Sequence, residues 1–291
     1  MARDRALEVL ATGPLTLVQD VGRVGYAAIG VGRSGAADRE AFQLGARLLG
    51  QTYAAAALEV TFGGLSIRAR GNVQLALTGA PTPADVDGRG IGYFGPFLVC
   101  DGQVLTLGTP RVGLRSYVSV RGGVDVPPVL GSRSADTLSG LGPEPLRAGD
   151  VLSVGPAPAA YPNVDLAPVP PLSAEMLTLH ALRGPRDGWV ADIDALAATV
   201  WTVSSHSDRV GIRLNGEPLQ RHADRTGKEL PSEGVVRGSI QVPTGGQPVV
   251  FLADHPVTGG YPVVAVLVDQ DIDRAAQAVP GQQIRIVLDR H

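Results

Sequence analysis

The chain has 291 residues, 44% of them hydrophobic and 18% charged, a composition that fits a soluble globular protein of about two domains. A net charge of −3 supplies no basic face for nucleic acid, no apolar run is long enough to span a bilayer, and the first residues form no apolar leader; a cytoplasmic protein without a nucleic-acid or membrane partner is expected. The lone Cys100 excludes a disulfide framework and a cysteine metal site, no metal is expected, and the apolar flank Phe97–Val99 predicts a buried structural thiol.

Taken in chain order, short apolar segments punctuated by glycine and proline predict strands at Leu15–Val18, Leu58–Phe62, Val73–Thr78, Val104–Leu107, Ser116–Val120 and Val151–Val154. A second series follows at Met176–Leu182, Thr199–Val203, Ser239–Val242, Val249–Ala253, Val263–Val268 and Ile284–Leu288. Two helices interrupt them. Asp38 is placed to cap Arg39–Leu49, where Ala41, Leu44 and Leu48 share a face and Gly50 stands at the C-terminal cap. Trp189–Ala198 reads as a shorter helix. The proline-rich stretch 155–172 has no periodicity and divides the chain into an N-terminal β-barrel domain (1–154) and a C-terminal one (173–291). The expected fold is therefore mainly β, two barrels with a few short helices, and the faint echo of Leu146–Val154 in Val279–Val287 suggests a duplication.

Gly30-Val31-Gly32-Arg33-Ser34-Gly35 fits a dinucleotide fingerprint, but no strand–helix alternation follows and the acid that would hold a ribose, Glu59, lies inside a strand. The backbone amides near Ser34–Asp38 still offer a place for a carboxylate or phosphate. Lys228 is the only lysine, and Glu229 follows it, so the chain has neither a phosphate-loop lysine nor an attached biotin.

Three polar blocks carry the chemistry. In residues 13–50, Gln19, Asp20, Arg23 and Tyr26 cluster on a turn between strands, either as a hydrogen-bonded turn with Asp20 paired to Arg23 or as substrate contacts. In Ser205-His206-Ser207-Asp208-Arg209-Val210-Gly211-Ile212-Arg213, the serine, histidine and aspartate are too close in sequence to converge as a triad. Arg209 and Arg213, four apart, can project to one side and bind a carboxylate or phosphate, or form salt bridges to Glu217 or Asp224. In residues 230–265 the turns between apolar strands carry Ser232, Glu233, Gln241, Asp254, His255, Thr258 and Tyr261. Glu233 and His255 are the acid–base candidates, and Gly259 and Gly260 let backbone amides approach a ligand. Arg209, Glu233, Asp254, His255 and Tyr261 are expected to border one cleft, although a lone histidine is more often structural.

The last of these blocks (SEGVVRGSIQVPTGGQPVVFLADHPVTGGYP), the first and the segment from Ser205 to Leu214 resemble the 5-oxoprolinase C subunit family, also called KipI antagonist or allophanate hydrolase subunit 2 and related to the carboxyltransferase part of urea carboxylase. Arg47 and His206 depart from the family's usual asparagine and glutamine. The resemblance implies paired cyclophilin-like barrels and a role in ATP-dependent opening of 5-oxoproline to L-glutamate, with separate A and B subunits, B being KipI-like. It implies that ATP acts in the assembled complex; the missing phosphate-loop and biotinyl lysines, with polar blocks dispersed over both halves, add the expectation that the chain alone is inactive. Two alternatives share the same blocks: the carboxyltransferase component of a biotin-dependent urea-carboxylase-like system, and a non-enzymatic antagonist that binds a kinase-inhibitor protein.

Overall fold

The computed structural model describes residues 5–161 and 164–289 and is predominantly β, with three α-helices among those residues. Every strand predicted from the sequence is present to within about two residues at its ends. The chain folds as two compact units whose boundaries are not simply sequential. The first holds the chain up to Arg23, Asp38–Asp136 and Gly140–Leu172; the second begins at Ser173 and also takes in Val24–Ala37 and Thr137–Ser139.

In the first unit the strands form two antiparallel sheets. One has seven strands in the order Val124–Asp125, Val151–Val154, Ala6–Thr12, Leu65–Arg70, Val104–Leu107, Ala84–Val86 and Arg89–Gly90. The other has five: Leu15–Gln19, Ala57–Thr61, Arg115–Val120, Val73–Gly79 and Pro96–Val99. Both contribute to one core, with Leu7, Val9, Ile67 and Leu105 from the first and Leu58, Leu75, Leu77 and Val118 from the second. This is how two half-apolar sheets remove their inner faces from water. The helix Arg39–Leu48 starts where Asp38 accepts a hydrogen bond from the Ala41 amide at 2.9 Å. The buried Tyr117 hydroxyl accepts from the Asp38 amide and donates to Glu59, both at 2.8 Å. Burial first, and then the charges of Glu59 and Asp38, push that phenol well above its ordinary pKa.

The stretch from residue 155 is not an independent spacer where it is described. Arg121, 2% exposed, donates to the carbonyls of Leu49, Pro158 and Ala160, and its guanidinium lies 4.0 Å from the Tyr161 ring centre. Pro162 and Asn163 of that stretch lie outside the described residues. The thiol expectation is corrected: Cys100 is exposed, in the turn after Pro96–Val99 where its amide donates to Gln103 Oε1. The alternation that buries Val99 turns its neighbour outward.

The second unit is a closed seven-stranded barrel in the order Leu177–Arg183, Val263–Leu267, Ser239–Gln241, Val249–Phe251, Gly211–Asn215, Val200–Val203 and Gln283–Asp289. The circuit closes where Leu177–Arg183 pairs in parallel with Gln283–Asp289; the other pairings are antiparallel. Leu179, Trp201, Ile212, Leu214, Ile240, Val250, Val264 and Ile286 fill its interior. The helix expected at Trp189–Ala198 is shorter. Trp189 ends a 3-10 turn, Val190 is extended and bridges to Arg221, and the α-helix runs only over Asp194–Ala198, where Asp192 caps the Asp194 amide at 2.9 Å.

Candidate active site

On the outside of the barrel, Glu233–Gly234 and Thr258–Gly259 pair as a two-stranded ribbon, with Glu233 opposite Gly259. Beneath it Val235, Phe251 and Val263 form a small apolar cluster separate from the barrel interior. Barrel strands place alternate residues outward, so the ribbon can seal one patch of wall and keep its polar residues at the edge. Gln241, 4% exposed, donates from Nε2 to the Tyr261 carbonyl at 2.9 Å and fixes the chain after the ribbon. Gly259 packs closely here: a Cβ on it would stand 2.6 Å from Gln241 Nε2, the end of a flexible side chain.

Glu233 is held by Arg186, whose Nε reaches both carboxylate oxygens at 3.0 and 3.1 Å and whose Nη2 also donates to Oε1. The Arg186 hydrogen bond holds the Glu233 carboxyl below the usual range, so Glu233 remains a carboxylate. Sequence reasoning missed Arg186. Its only signal was an arginine following Gly184-Pro185 at the end of a strand. His255 stacks on Phe251, ring centres 5.9 Å apart and planes at 25°. Its Nδ1 lies 2.7 Å from the Pro256 carbonyl oxygen. A carbonyl only accepts, so Nδ1 carries a proton and, in the neutral ring, Nε2 carries the lone pair. Ser232 and Thr258 are exposed, and Tyr261 is 46% exposed.

Arg209 and Asp254 do not face that ribbon edge as solvent-accessible groups. They are 2% and 1% exposed and bind each other, Nε to Oδ2 at 2.9 Å and Nη2 to Oδ1 at 3.0 Å. Asp254 also accepts from Ser34 Oγ at 2.7 Å and from the Thr137 amide and hydroxyl at 2.9 and 2.8 Å; Arg209 donates to the Gly35 carbonyl. The anion held by Arg209 is thus the chain's own carboxylate. The pair ties the inserted segments 24–37 and 137–139 to the barrel, and the Ser34 hydroxyl donates to the Asp254 carboxylate. Arg213, by contrast, is exposed on strand Gly211–Asn215, so the four-residue spacing leads to two different surroundings, and neither Glu217 nor Asp224 forms an ion pair with it among the described residues. Tyr26, half-buried, precedes the 3-10 turn Ala27–Ile29 in the second unit.

In the first unit Gln19, Asp20 and Arg23 are all buried. Asp20 accepts from the amides of Gly22 and Arg133 and from the hydroxyls of Ser132 and Ser134, at 2.6–2.8 Å. The turn at Asp20 is thus hydrogen-bonded as expected, through the Gly22 amide, but the expected pairing with Arg23 is corrected: among the described residues the two form no ion pair, the Asp20 oxygens being taken by amides and hydroxyls. Arg23 donates from Nη2 to the Ser134 carbonyl, while its Nε and Nη1 have no hydrogen-bond partner among the described residues. Gln19 donates to the Ala135 carbonyl at 2.8 Å, and its Oε1 has no partner there either. Gly142 (φ 93°) packs against this arginine, a Cβ there falling 2.6 Å from Nη2. Among the described residues no cluster of histidine, cysteine and carboxylate side chains has metal-binding geometry.

Residues 29–288 match the model of the carboxyltransferase domain, subdomain A and B. Over 97% of its length the chain is 37% identical to the 5-oxoprolinase C subunit of Escherichia coli, covering 90% of that protein. It belongs to this carboxyltransferase-domain family. The urea amidolyase of Lachancea kluyveri is 32% identical over 97% of the chain, which spans only 17% of that larger protein. The crystal structure of the K. lactis urea amidolyase superposes with a TM-score of 0.91 at 32% identity, over 97% of this chain and 18% of the other. The mainly β architecture with its barrel is therefore that of the family. No helix among the described residues is long and apolar enough to cross a membrane.

Proposed function

We propose that this chain is the C subunit of an ATP-dependent 5-oxoprolinase that opens 5-oxoproline to L-glutamate together with A and B subunits, the latter KipI-like. The observation that carries this is the 37% identity to a 5-oxoprolinase C subunit, matched over 90% of that protein's length. ATP is the co-substrate: phosphoryl transfer to the lactam oxygen makes a poorly electrophilic amide carbon open to water. In this scheme His255 accepts a proton at Nε2, its ring plane set by Phe251 and its tautomer by the Pro256 carbonyl. Glu233, kept ionised by Arg186, is a fixed negative charge at the ribbon edge rather than a proton donor. Thr258, Tyr261 and the amides of Gly259 and Gly260 contact substrate. Arg209 is not assigned to the substrate, because Asp254 already satisfies its guanidinium.

The second reading, a carboxyltransferase acting on biotin carried by another chain, is favoured by the urea amidolyase relative and its fold match. The two separate in one assay. The chain is assembled with its A and B partners and ATP hydrolysis is followed with 5-oxoproline and with urea. Turnover that needs 5-oxoproline but neither bicarbonate nor biotin is the expected result; turnover only with urea, bicarbonate and a biotinylated carrier would establish the second reading instead.

A further inference from the structure

We propose that the outer wall of the second unit's barrel carries a groove that binds a phosphate-bearing small molecule, with Arg213 and His206 as its principal donors. The groove holds about 650 Å³ and lies along strand Gly211–Asn215, bounded on the far side by the loop that contains Pro243 and Pro248. That volume is in the range of small-molecule sites, about 300–1,000 Å³.

Its charge is out of keeping with the chain as a whole. The protein has 28 acidic and 25 basic residues, yet no aspartate or glutamate is among the residues lining this groove. Asp208, close in sequence, turns away to accept the amides of Val210 and Gly211 at 2.8 and 3.1 Å. Arg213 is exposed, and its guanidinium makes no hydrogen bond or ion pair among the described residues. A charge in that position has its full hydrogen-bonding capacity for an incoming anion.

The groove is also built. Ser204, 7% exposed, accepts from the His206 amide at 3.2 Å and lies 3.4 Å from His206 Nδ1. Ser207 Oγ accepts from the Arg213 amide at 3.1 Å, fixing the arginine's backbone to the preceding turn. On the opposite rim Gln247 makes a two-way clasp to Gly216, accepting from its amide at 3.1 Å and donating to its carbonyl at 3.0 Å. One arginine fork is enough for a carboxylate; the same lining also offers an imidazole, a hydroxyl and the Asn215 amide, a larger set of donors that suits an anion with three terminal oxygens. The two prolines give the organic remainder an apolar wall.

Binding by the chain alone is the readout, so a failure here is distinguishable from a failure of the proposed reaction. The full chain is titrated with inorganic phosphate, pyrophosphate and, at matched ionic strength, acetate, using calorimetry. Saturable one-site binding of pyrophosphate is expected, weakened about tenfold or more in Arg213→Gln. Arg213→Lys, which keeps the charge but loses the fork, should fall between the two. Thermal melting of both variants should match the parent, since the side chain is exposed, which separates lost binding from lost fold. Pyrophosphate binding that is absent at millimolar concentration, equalled by acetate, or unchanged in Arg213→Gln would overturn the proposal.

Discussion

Asp254 and Arg209 carry opposite charges into a place that water barely reaches, and each is met by further hydrogen bonds from the inserted segments. Burial acts to raise the Asp254 carboxyl, but Arg209's charge and hydrogen bonds, with those of Ser34 and the Thr137 amide, outweigh it and hold the group below the usual carboxylate range. The folded value is the depressed one. The pair's contribution is therefore complete above the unfolded-chain value near about 3.9 and is lost as pH falls toward the folded value. Asp254→Asn should lower stability at neutral pH by about 3–5 kcal/mol, because it leaves a buried guanidinium uncompensated. Denaturant midpoints measured from neutral pH downward should show a shallower acid decline in the variant. A variant as stable as the parent would show that the ion pair does not hold the inserted segments.

At the scale of elements, the ribbon depends on one close contact. A methyl group at Gly259 meets the amide end of Gln241, a flexible side chain, so Gly259→Ala should fold while displacing Gln241 from the Tyr261 carbonyl. In the assembled enzyme it is expected to lower turnover by an order of magnitude or more while leaving the melting temperature within a few degrees, on the order of 1 kcal/mol. Unchanged turnover would remove the ribbon from the site.

The elements differ in how plainly the sequence encodes them. Strands rich in valine, isoleucine and leucine, such as Val73–Gly79 and Val263–Leu267, announced themselves. Ala6–Thr12 and Leu65–Arg70 did not, although their burial alternates, because Glu8, Ala11, Arg68 and Arg70 are weak β-formers and the sheet partners supply the preference. The helix Asp269–Ala275 was hidden in an acidic run, where Asp269 and Asp271 suit its first turn and Arg274 its last. Ribbon residues were visible as polar groups crowded at strand ends. Their partners were not: Arg186 reaches Glu233 across 47 positions, Thr137 reaches Asp254 across 117 and Ser34 reaches it across 220. Such pairings come from topology, which local pattern does not encode.

For the whole molecule, each unit has its own core, and the second borrows segments from the first half of the sequence, so cutting the chain near residue 172 would leave the barrel without Ser34 and Thr137. The family relationship spans nearly the full length of both units. If this chain is a necessary part of an ATP-driven 5-oxoprolinase, product release depends on it. L-Glutamate and ADP released from 5-oxoproline and ATP are quantified together for the A and B partners with and without this chain. Equal amounts of the two products, formed only when the chain is present and not by the chain alone, are predicted. Glutamate formed at the same rate without it, or by the purified chain unaided, would contradict the account.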